Sequence, residues 1–207
     1  MQDSTFDLVE RLAALGRSAL ADVQLHHDVY GYVRECLRKD ALIHGKFILA
    51  SGEESSYYFD LRRVTLASRC AAAVAYLLLR ELKPDITAVG GPTLGADPLV
   101  SSMVAIAPFF QMEIAGFLVR KEPKKHGTAK MIEGPVKRGS RVAVVEDVVT
   151  TGGSLLRAVQ AAEEAGLRVR QALVVLDRSG GQAEKLFSAQ GLTFHALFTA
   201  EEILEEG

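Results

Sequence analysis

The sequence predicts an α/β fold in which a mostly parallel sheet is flanked by helices on both faces. From residue 86 onward, short apolar runs typical of buried strands alternate with patterns of helical periodicity. Such alternation implies parallel strands joined by helical crossovers. The 207 residues, 48% hydrophobic and 24% charged, are ordinary for a soluble globular protein with a sizeable core. Ligands of such sheets bind beyond the carboxyl ends of the strands, so functional residues should follow strand ends.

The first 66 residues are expected to form N-terminal helices and a small two-stranded element. Apolar residues at helical spacing predict an extra N-terminal helix over 4–24 and a second helix over 29–39. The segments 46–49 and 57–59 are then typical of two strands joined by a turn that contains Ser51 and Gly52.

Residues 67–207 are expected to form the α/β core, in one compact domain with the segment before it. A strongly apolar helix over 67–82 is terminated by Pro84. Strands and helices then alternate to the end of the chain. The expected segments are 86–89, 94–107, 114–119, 141–145, 153–165, 169–176, 182–189 and 193–198.

Charge and apolar patterning argue against two classes of function. The formal net charge is −2, so there is no excess positive charge to bind nucleic-acid phosphates. The longest apolar stretch, 70–79, is far shorter than a membrane span, and the acidic N-terminus lacks the basic start of a signal peptide. Cys36 and Cys70 have no metal-ligand spacing and are expected to be buried free thiols. We therefore expect a cytoplasmic protein that binds neither nucleic acid nor membrane.

The segment 142–154 carries the most chemistry. An apolar strand ends in Glu146 and Asp147, a turn rich in threonine and glycine follows, and a helix then begins. The free N–H groups of the turn and the positive end of the helix dipole form an anion cradle. Its expected phosphate-binding residues are Thr150, Thr151, Gly152, Gly153 and Ser154.

The acidic pair decides which anion fits this cradle. Carboxylates beside a phosphate would repel it unless they face sugar hydroxyls or a divalent cation. The segment therefore predicts a ribose 5-phosphate site, with the phosphate in the turn and the ribose hydroxyls on Glu146 and Asp147. A capped turn without a ligand is the alternative, and the acidic pair favours function over it. The segment is neither a Walker A loop nor a Rossmann fingerprint.

A basic stretch over 120–127 is the second candidate. Four cations and His126 fall within it, and Pro123 with the glycines at 127, 134 and 139 marks 120–139 as a long flexible loop. A solvated charged loop is the ordinary interpretation. A mobile basic loop could also close over a leaving pyrophosphate, stabilise its growing charge and exclude water.

Three motifs resemble known ones. The segment 144–154 resembles the phosphoribosyl-pyrophosphate signature of the type I phosphoribosyltransferases, a family with a parallel sheet and a small N-terminal hood. The order Arg-Lys-x-x-Lys-x-His-Gly at 120–127 resembles the catalytic loop of the orotate phosphoribosyltransferases, and 47–60 resembles the hood motif of that family. The resemblance covers about residues 28–200. It implies transfer of phosphoribose from phosphoribosyl pyrophosphate to orotate, with Mg²⁺ carried in by the pyrophosphate and no dedicated metal ligands.

The resemblance also assigns roles by position. Arg120, Lys121, Lys124 and His126 would contact pyrophosphate, the last two as catalytic residues, on a loop over 120–139 that acts across a homodimer. Glu146 and Asp147 would hold the ribose and stabilise its developing positive charge. The residues expected to bind orotate are Tyr58, Phe59, Thr150 and Arg178.

Two positions depart from the family pattern. Ala50 and Gly95 stand where relatives often carry lysines that reach the donor phosphates. Two other functions stay open at this point. One is transfer to a purine base, against which the hood motif and the basic loop argue. The other is a non-catalytic regulator that senses the donor, which only Ala50 favours.

Overall fold

The computed structural model describes residues 16–48, 54–122 and 130–205, and it confirms the α/β fold that the sequence predicts. A six-stranded sheet carries the helices, and a two-stranded sheet precedes it in the chain. The helices are α1 Val23–Cys36, α2 Arg62–Thr65, α3 Ser68–Arg80, α4 Ala96–Ile106, α5 Gly153–Glu164, α6 Gln182–Ala189 and α7 Ala200–Leu204. The strands are β1 Leu42–Ile48, β2 Glu54–Phe59, β3 Ala88–Pro92, β4 Ala115–Val119, β5 Ile132–Glu133, β6 Arg141–Val149, β7 Arg168–Asp177 and β8 Thr193–Thr199.

The first helix boundary differs from the prediction. Gly16–Ala21 is a 3-10 helix, and the rest of the helix expected over 4–24 lies largely outside the described residues. Asp22 then caps α1, because its side chain accepts a hydrogen bond from the backbone N–H of Leu25 at 2.9 Å. The second helix therefore begins at Val23 rather than at residue 29. Apolar residues keep their helical spacing across this break, so periodicity alone could not locate it.

The hood is an antiparallel pair, β1 and β2, in which Leu42 lies opposite Phe59. The expectation that its first strand begins at residue 46 was wrong, because β1 begins at Leu42. His44 and Gly45 are exposed and interrupt the apolar pattern that marks a strand. The expected turn at 51–52 lies outside the described residues.

The six-stranded sheet has the order β5-β4-β3-β6-β7-β8. The strand β3 is parallel to both of its neighbours, β4 and β6, and only β5 at the edge is antiparallel. The chain winds from β3 outward to β4 and then returns to the other side of β3 as β6. The gap beyond the carboxyl ends of β3 and β6 is thus a topological switch point, where ligands of such sheets bind.

Two buried clusters lie on the two faces of this sheet. Ala143 and Val145 of β6 join the cluster built with α1, α3 and α4, whereas Val142 and Val144 join the cluster built with α5 and α6. This alternation is the period of two that a strand imposes. The division expected at residue 66 stays a prediction. Leu25 in the N-terminal segment shares one buried cluster with residues of the α/β core.

Two strands differ from expectation around the predicted site. The strand β6 runs to Val149 instead of ending at residue 145, because β7 continues to pair with it as far as Asp177. The segment 120–139 is not a single irregular loop, since Ile132–Glu133 forms β5 against β4. The segment that connects β4 to β5 is therefore shorter than the loop expected over 120–139.

Two predictions from the bulk sequence concern the described residues. In the ranges given above, no helix is long and apolar enough to cross a membrane. Cys36 and Cys70 are buried free thiols, as expected, and their Sγ atoms lie 2.8 Å apart between α1 and α3.

Candidate active site

The floor of the candidate site is formed where β3 and β6 part. Their pairing ends at Gly90 and Val144, while β6 continues along β7. Glu146 and Asp147 lie in β6 just after Val144, the last residue of that strand that pairs with β3. Successive residues of a strand point to opposite faces, so the two carboxylates have different surroundings.

Glu146 faces the helix that follows β6. It is only 8% exposed, and the side chain of Ser154 is near enough to interact with its carboxylate. Burial raises the pKa of Glu146 to about 7, and Asp147 adds to this rise, whereas Ser154 and the charge of Arg157 oppose it. Glu146 is therefore poised between its neutral and charged forms near neutral pH.

Asp147 faces the loop that follows β3. One of its carboxylate oxygens, Oδ1, accepts a hydrogen bond from the backbone N–H of Val148 at 2.9 Å. Burial raises the pKa of Asp147 above its ordinary value, Asp60 adds to the rise, and the charge of Arg62 opposes it. A Cβ atom at Gly95 would collide with the same carboxylate. A side chain at position 95 would therefore require the Asp147 carboxylate to shift from this position.

The loop between β3 and α4 is held from both sides. The backbone N–H of Thr93 donates to the carbonyl of Val119 at the end of β4, at 3.1 Å. On the other side, a Cβ atom at Gly91 would overlap the carbonyl oxygen of Val145 in β6. The backbone of this loop therefore forms one fixed wall of the switch-point cleft, with Asp147 beside it.

The threonine- and glycine-rich turn forms the second wall. Thr150 and Thr151 are exposed, and Gly152 has φ of 77°, a left-handed conformation that favours glycine. A Cβ atom at Gly152 would also meet Leu186 at 2.8 Å. The helix α5 begins at Gly153, so its first N–H groups face the cleft without helical partners. The turn therefore has a backbone geometry suited to an anion, and the phosphate-binding role of 150–154 stays a prediction.

A third wall contains the base-binding candidates. Arg178 follows β7, and its backbone N–H donates to the carbonyl of Val149 at 2.8 Å. Its guanidinium carbon lies 5.0 Å from the centre of the Tyr57 ring and 5.7 Å from that of Phe59. Its Nε is buried and has no hydrogen-bond partner among the described residues. The structure therefore presents an unsatisfied donor next to two aromatic rings.

The structure separates one expected base contact from the others. Tyr58 lies on the opposite face of β2 from Tyr57 and Phe59, and its ring packs 5.6 Å from that of Phe47. Tyr57 was missed by the sequence analysis, although the alternation of β2 contained the signal: Tyr57 and Phe59 must share a face. The roles of Tyr58 and Phe59 in binding a base stay predictions.

The basic loop is described only at its base. Arg120 follows β4, its backbone N–H donates to the carbonyl of Met131, and its guanidinium lies 3.4 Å from Glu133. Lys121 is exposed. Lys124 and His126 lie outside the described residues. The last residue of β4, Val119, accepts the hydrogen bond from Thr93 in the loop after β3. The basic loop, which begins at the next residue, therefore leaves the sheet beside the cleft.

The two carboxylates of the site suit a metal that is brought in by a ligand. The described residues contain no group of three or more histidines, cysteines or acids arranged to hold an ion. Glu146 and Asp147 offer two carboxylates at the cleft. Mg²⁺ typically binds one or two carboxylates together with phosphate oxygens of a substrate.

Comparisons with known proteins identify the family of the chain. A profile described as the phosphoribosyl transferase domain matches residues 71–200. An orotate phosphoribosyltransferase of Synechocystis sp. is 42% identical over 193 residues, which cover 93% of this chain and 94% of that protein.

Solved structures give the same result. The orotate phosphoribosyltransferase of Mycobacterium tuberculosis in complex with Fe(III) dicitrate is 38% identical, has a TM-score of 0.74, and covers 86% of this chain and 99% of its own. The same enzyme in complex with phosphoribosyl pyrophosphate has a TM-score of 0.69 at 34% identity, with coverage of 84% and 98%. The chain belongs to the phosphoribosyltransferase family and, within it, to the orotate phosphoribosyltransferases.

Proposed function

We propose that this protein transfers the phosphoribosyl group of phosphoribosyl pyrophosphate to N1 of orotate, with orotidine 5′-monophosphate and pyrophosphate as products. The observation that carries the proposal is the three-walled cleft at the switch point. One wall is an anion cradle, one is a fixed backbone loop beside Asp147, and one presents Arg178 against aromatic rings. These walls correspond to the phosphate, the sugar with its leaving group, and the base.

The 5-phosphate is proposed to occupy the turn at 150–154. The free N–H groups at the start of α5 and the threonine hydroxyls suit a phosphate dianion. Glu146 and Asp147 then lie at the ribose. Their charges would stabilise the positive charge that develops on the sugar as the leaving group departs.

Orotate is proposed to bind at Arg178. A guanidinium is suited to a planar carboxylate, which distinguishes orotate from the common purine bases and from uracil. The unpartnered Nε of Arg178 is a donor that such a carboxylate would satisfy. Phe59 and Tyr57 already stack near this guanidinium, and aromatic surfaces suit a flat heterocycle.

In the proposed reaction, N1 of orotate forms a bond to the anomeric carbon of the ribose. The bond from that carbon to pyrophosphate breaks, its electron pair leaves with the pyrophosphate, and the proton of N1 passes to water. The cleft holds the two reactants in alignment, which contributes much of the acceleration. Glu146 and Asp147 would help to hold a Mg²⁺ brought in by the donor, which would supply positive charge to the pyrophosphate.

The basic loop is proposed to close over the pyrophosphate from the second subunit of a homodimer. Arg120 and Lys121 mark where it leaves the sheet, and Lys124 and His126 would be its catalytic groups. Two inactive variants, Lys124→Ala and Asp147→Asn, test this arrangement after their subunits are exchanged. A loop acting in trans gives about one quarter of wild-type activity, since half of the dimers are mixed and half of their sites are intact. A loop acting in cis restores nothing.

One assay separates the proposed function from its alternatives. The purified protein is incubated with donor, Mg²⁺ and, separately, orotate, uracil, adenine, guanine or hypoxanthine. Consumption of orotate alone supports the proposal, and consumption of a purine supports a purine transferase. Donor binding without any turnover supports a regulator. We further propose that the reaction takes place in the cytoplasm, where a reducing environment keeps thiols such as Cys36 and Cys70 free.

A further inference from the structure

The wall beside Asp147 lacks a cation of its own. The loop at 91–95 carries no basic residue, and a side chain at Gly95 would collide with the Asp147 carboxylate. Burial has already raised the pKa of Asp147 above its ordinary value, and Asp60 adds to that rise. A pyrophosphate brought to this wall would meet like charge unless a cation from another element faces it.

Arg62 is a cation that meets this requirement. It is the first residue of α2, immediately after the hood, and α2 contacts α4, the helix that follows the loop at 91–95. Its side chain is 50% exposed. The charge of Arg62 is also near enough to Asp147 to oppose the rise in the pKa of that carboxyl. Arg62 therefore belongs to the same side of the cleft as Asp147 and Gly95.

The guanidinium of Arg62 is also held in a defined orientation. Its Nε donates to Oδ1 of Asp60 at 2.9 Å, and the backbone N–H of Asp60 donates to the carbonyl of Ala41 at 2.9 Å. The hood thus anchors Asp60, and Asp60 anchors one edge of the guanidinium. The two terminal nitrogens can then turn to a second anion, and a guanidinium binds phosphate oxygens through such paired donors.

The other groups of the two substrates are accounted for elsewhere in the cleft. The turn at 150–154 suits the 5-phosphate, and Arg178 with Phe59 suits the base. The pyrophosphate on the anomeric carbon has not yet been assigned to a wall of the cleft. The wall without an assigned ligand group is the one formed by Gly95, Asp147 and Arg62.

We propose that Arg62 binds the pyrophosphate of the donor, with Asp60 as the residue that positions it. Arg62 would then provide a positive charge that Ala50 and Gly95 do not. This inference rests on the proposed function, because it needs phosphoribosyl pyrophosphate as the ligand. It differs from that function in naming a contact from the hood to the leaving group.

Calorimetric titration of three ligands tests the proposal, each in the presence of Mg²⁺. Phosphoribosyl pyrophosphate and free pyrophosphate both contain the group that Arg62 would bind, whereas orotidine 5′-monophosphate lacks it. We expect Arg62→Gln to weaken the first two about tenfold or more, since a hydrogen bond to a charged group is worth at least that. Binding of orotidine 5′-monophosphate should stay unchanged. Arg62→Lys, which keeps the charge, should recover part of the loss.

Arg63→Gln is the matched control. Arg63 is the next residue of the same short helix, is also exposed, and forms no ion pair within the described part of the chain. Its substitution should leave all three affinities at wild-type values. Exposed ion pairs contribute little to stability, so Arg62→Gln should unfold at nearly the wild-type temperature.

The outcomes separate the inference from the proposed function. If the wild type binds neither donor nor orotidine 5′-monophosphate, the proposed function fails. If the wild type binds both and Arg62→Gln matches Arg63→Gln, only the role of Arg62 is rejected. Equal weakening of all three ligands by Arg62→Gln and Asp60→Asn would also reject it, because it would mean that the pair only maintains the hood.

Discussion

The donor and acceptor sides of the cleft are built in different ways. The donor side is one continuous segment, in which Glu146 and Asp147 end a buried strand and 150–154 begin a helix. The acceptor side brings Arg178 at the end of β7 against Tyr57 and Phe59 from the hood. The donor side therefore depends largely on backbone geometry, and the acceptor side on side chains that meet only after folding. Substitutions should separate the two sides by which substrate they affect.

The largest effect is expected on the donor side, from Asp147→Asn. This change keeps the shape of the side chain and removes a negative charge that would stabilise the developing cation. Turnover should fall about 100-fold or more, as is typical when one such electrostatic group is lost. Steady-state rates at saturating substrates measure the fall, and thermal unfolding checks that the fold is kept. Near-wild-type turnover in a well-folded variant would remove Asp147 from the mechanism.

On the acceptor side, Arg178→Gln should impair orotate and leave the donor alone. The variant loses the charge that would pair with the orotate carboxylate, so the KM for orotate should rise about 10- to 100-fold. Because the guanidinium of Arg178 lies over the rings of Tyr57 and Phe59, and the substitution leaves its backbone hydrogen bond to Val149 in place, the Kd of the donor should stay within about twofold of wild type. Equal losses for both substrates would show that the two sides cannot be treated separately.

The buried carboxylate of Glu146, on the α5 face of β6, should make the stability of the protein depend on pH. Because burial raises this pKa from 4.5 to about 7, the folded state binds the proton more tightly than the unfolded chain. The free energy of unfolding should therefore fall as pH rises from the unfolded pKa to the folded one, and stay low above it. Glu146→Gln removes this loss, so the variant should gain about 2–3 kcal/mol relative to wild type between about pH 4 and pH 8. Urea unfolding at both pH values measures it, and a constant difference between the two proteins would contradict it.

The smallest expected effect comes from the two neighbouring tyrosines of the hood. Tyr57 contacts Arg178, whereas Tyr58 points to the other face of β2. Tyr57→Ala should raise the KM for orotate by several-fold, in line with about 1 kcal/mol for a partly exposed cation–π contact. Tyr58→Ala serves as the matched comparison and should change it less. The reverse order would favour the role that the sequence motif assigns to Tyr58.

This contrast also explains how much the sequence could predict. The parallel sheet and the glycine-rich turn before α5 were predictable because each depends on residues close together in the chain, such as Asp147 and Gly152. The pairing of Tyr57 with Arg178 was not, since it depends on where the hood packs. The extension of β6 to Val149 was missed for a similar reason. It depends on pairing with β7, and the polar residues Glu146 and Asp147 interrupt the apolar pattern by which a buried strand is recognised.

Two further differences between the predicted and the observed elements concern short local features, a helix cap and a two-residue strand. The break at Asp22 has a capping signal, but the apolar spacing continues through it and conceals it. The short β5 exists only because β4 offers a pairing partner, so two residues such as Ile132 and Glu133 carry too little pattern to predict a strand.

The account is tested most directly by following the products of one reaction. Wild-type protein is mixed with phosphoribosyl pyrophosphate, Mg²⁺ and orotate, and orotidine 5′-monophosphate and pyrophosphate are quantified together, with Asp147→Asn as the matched control. We predict equal amounts of the two products from the wild type and about 100-fold less of both from the variant. Pyrophosphate without orotidine 5′-monophosphate, or no product from a wild-type protein that binds the donor, would contradict transfer to orotate.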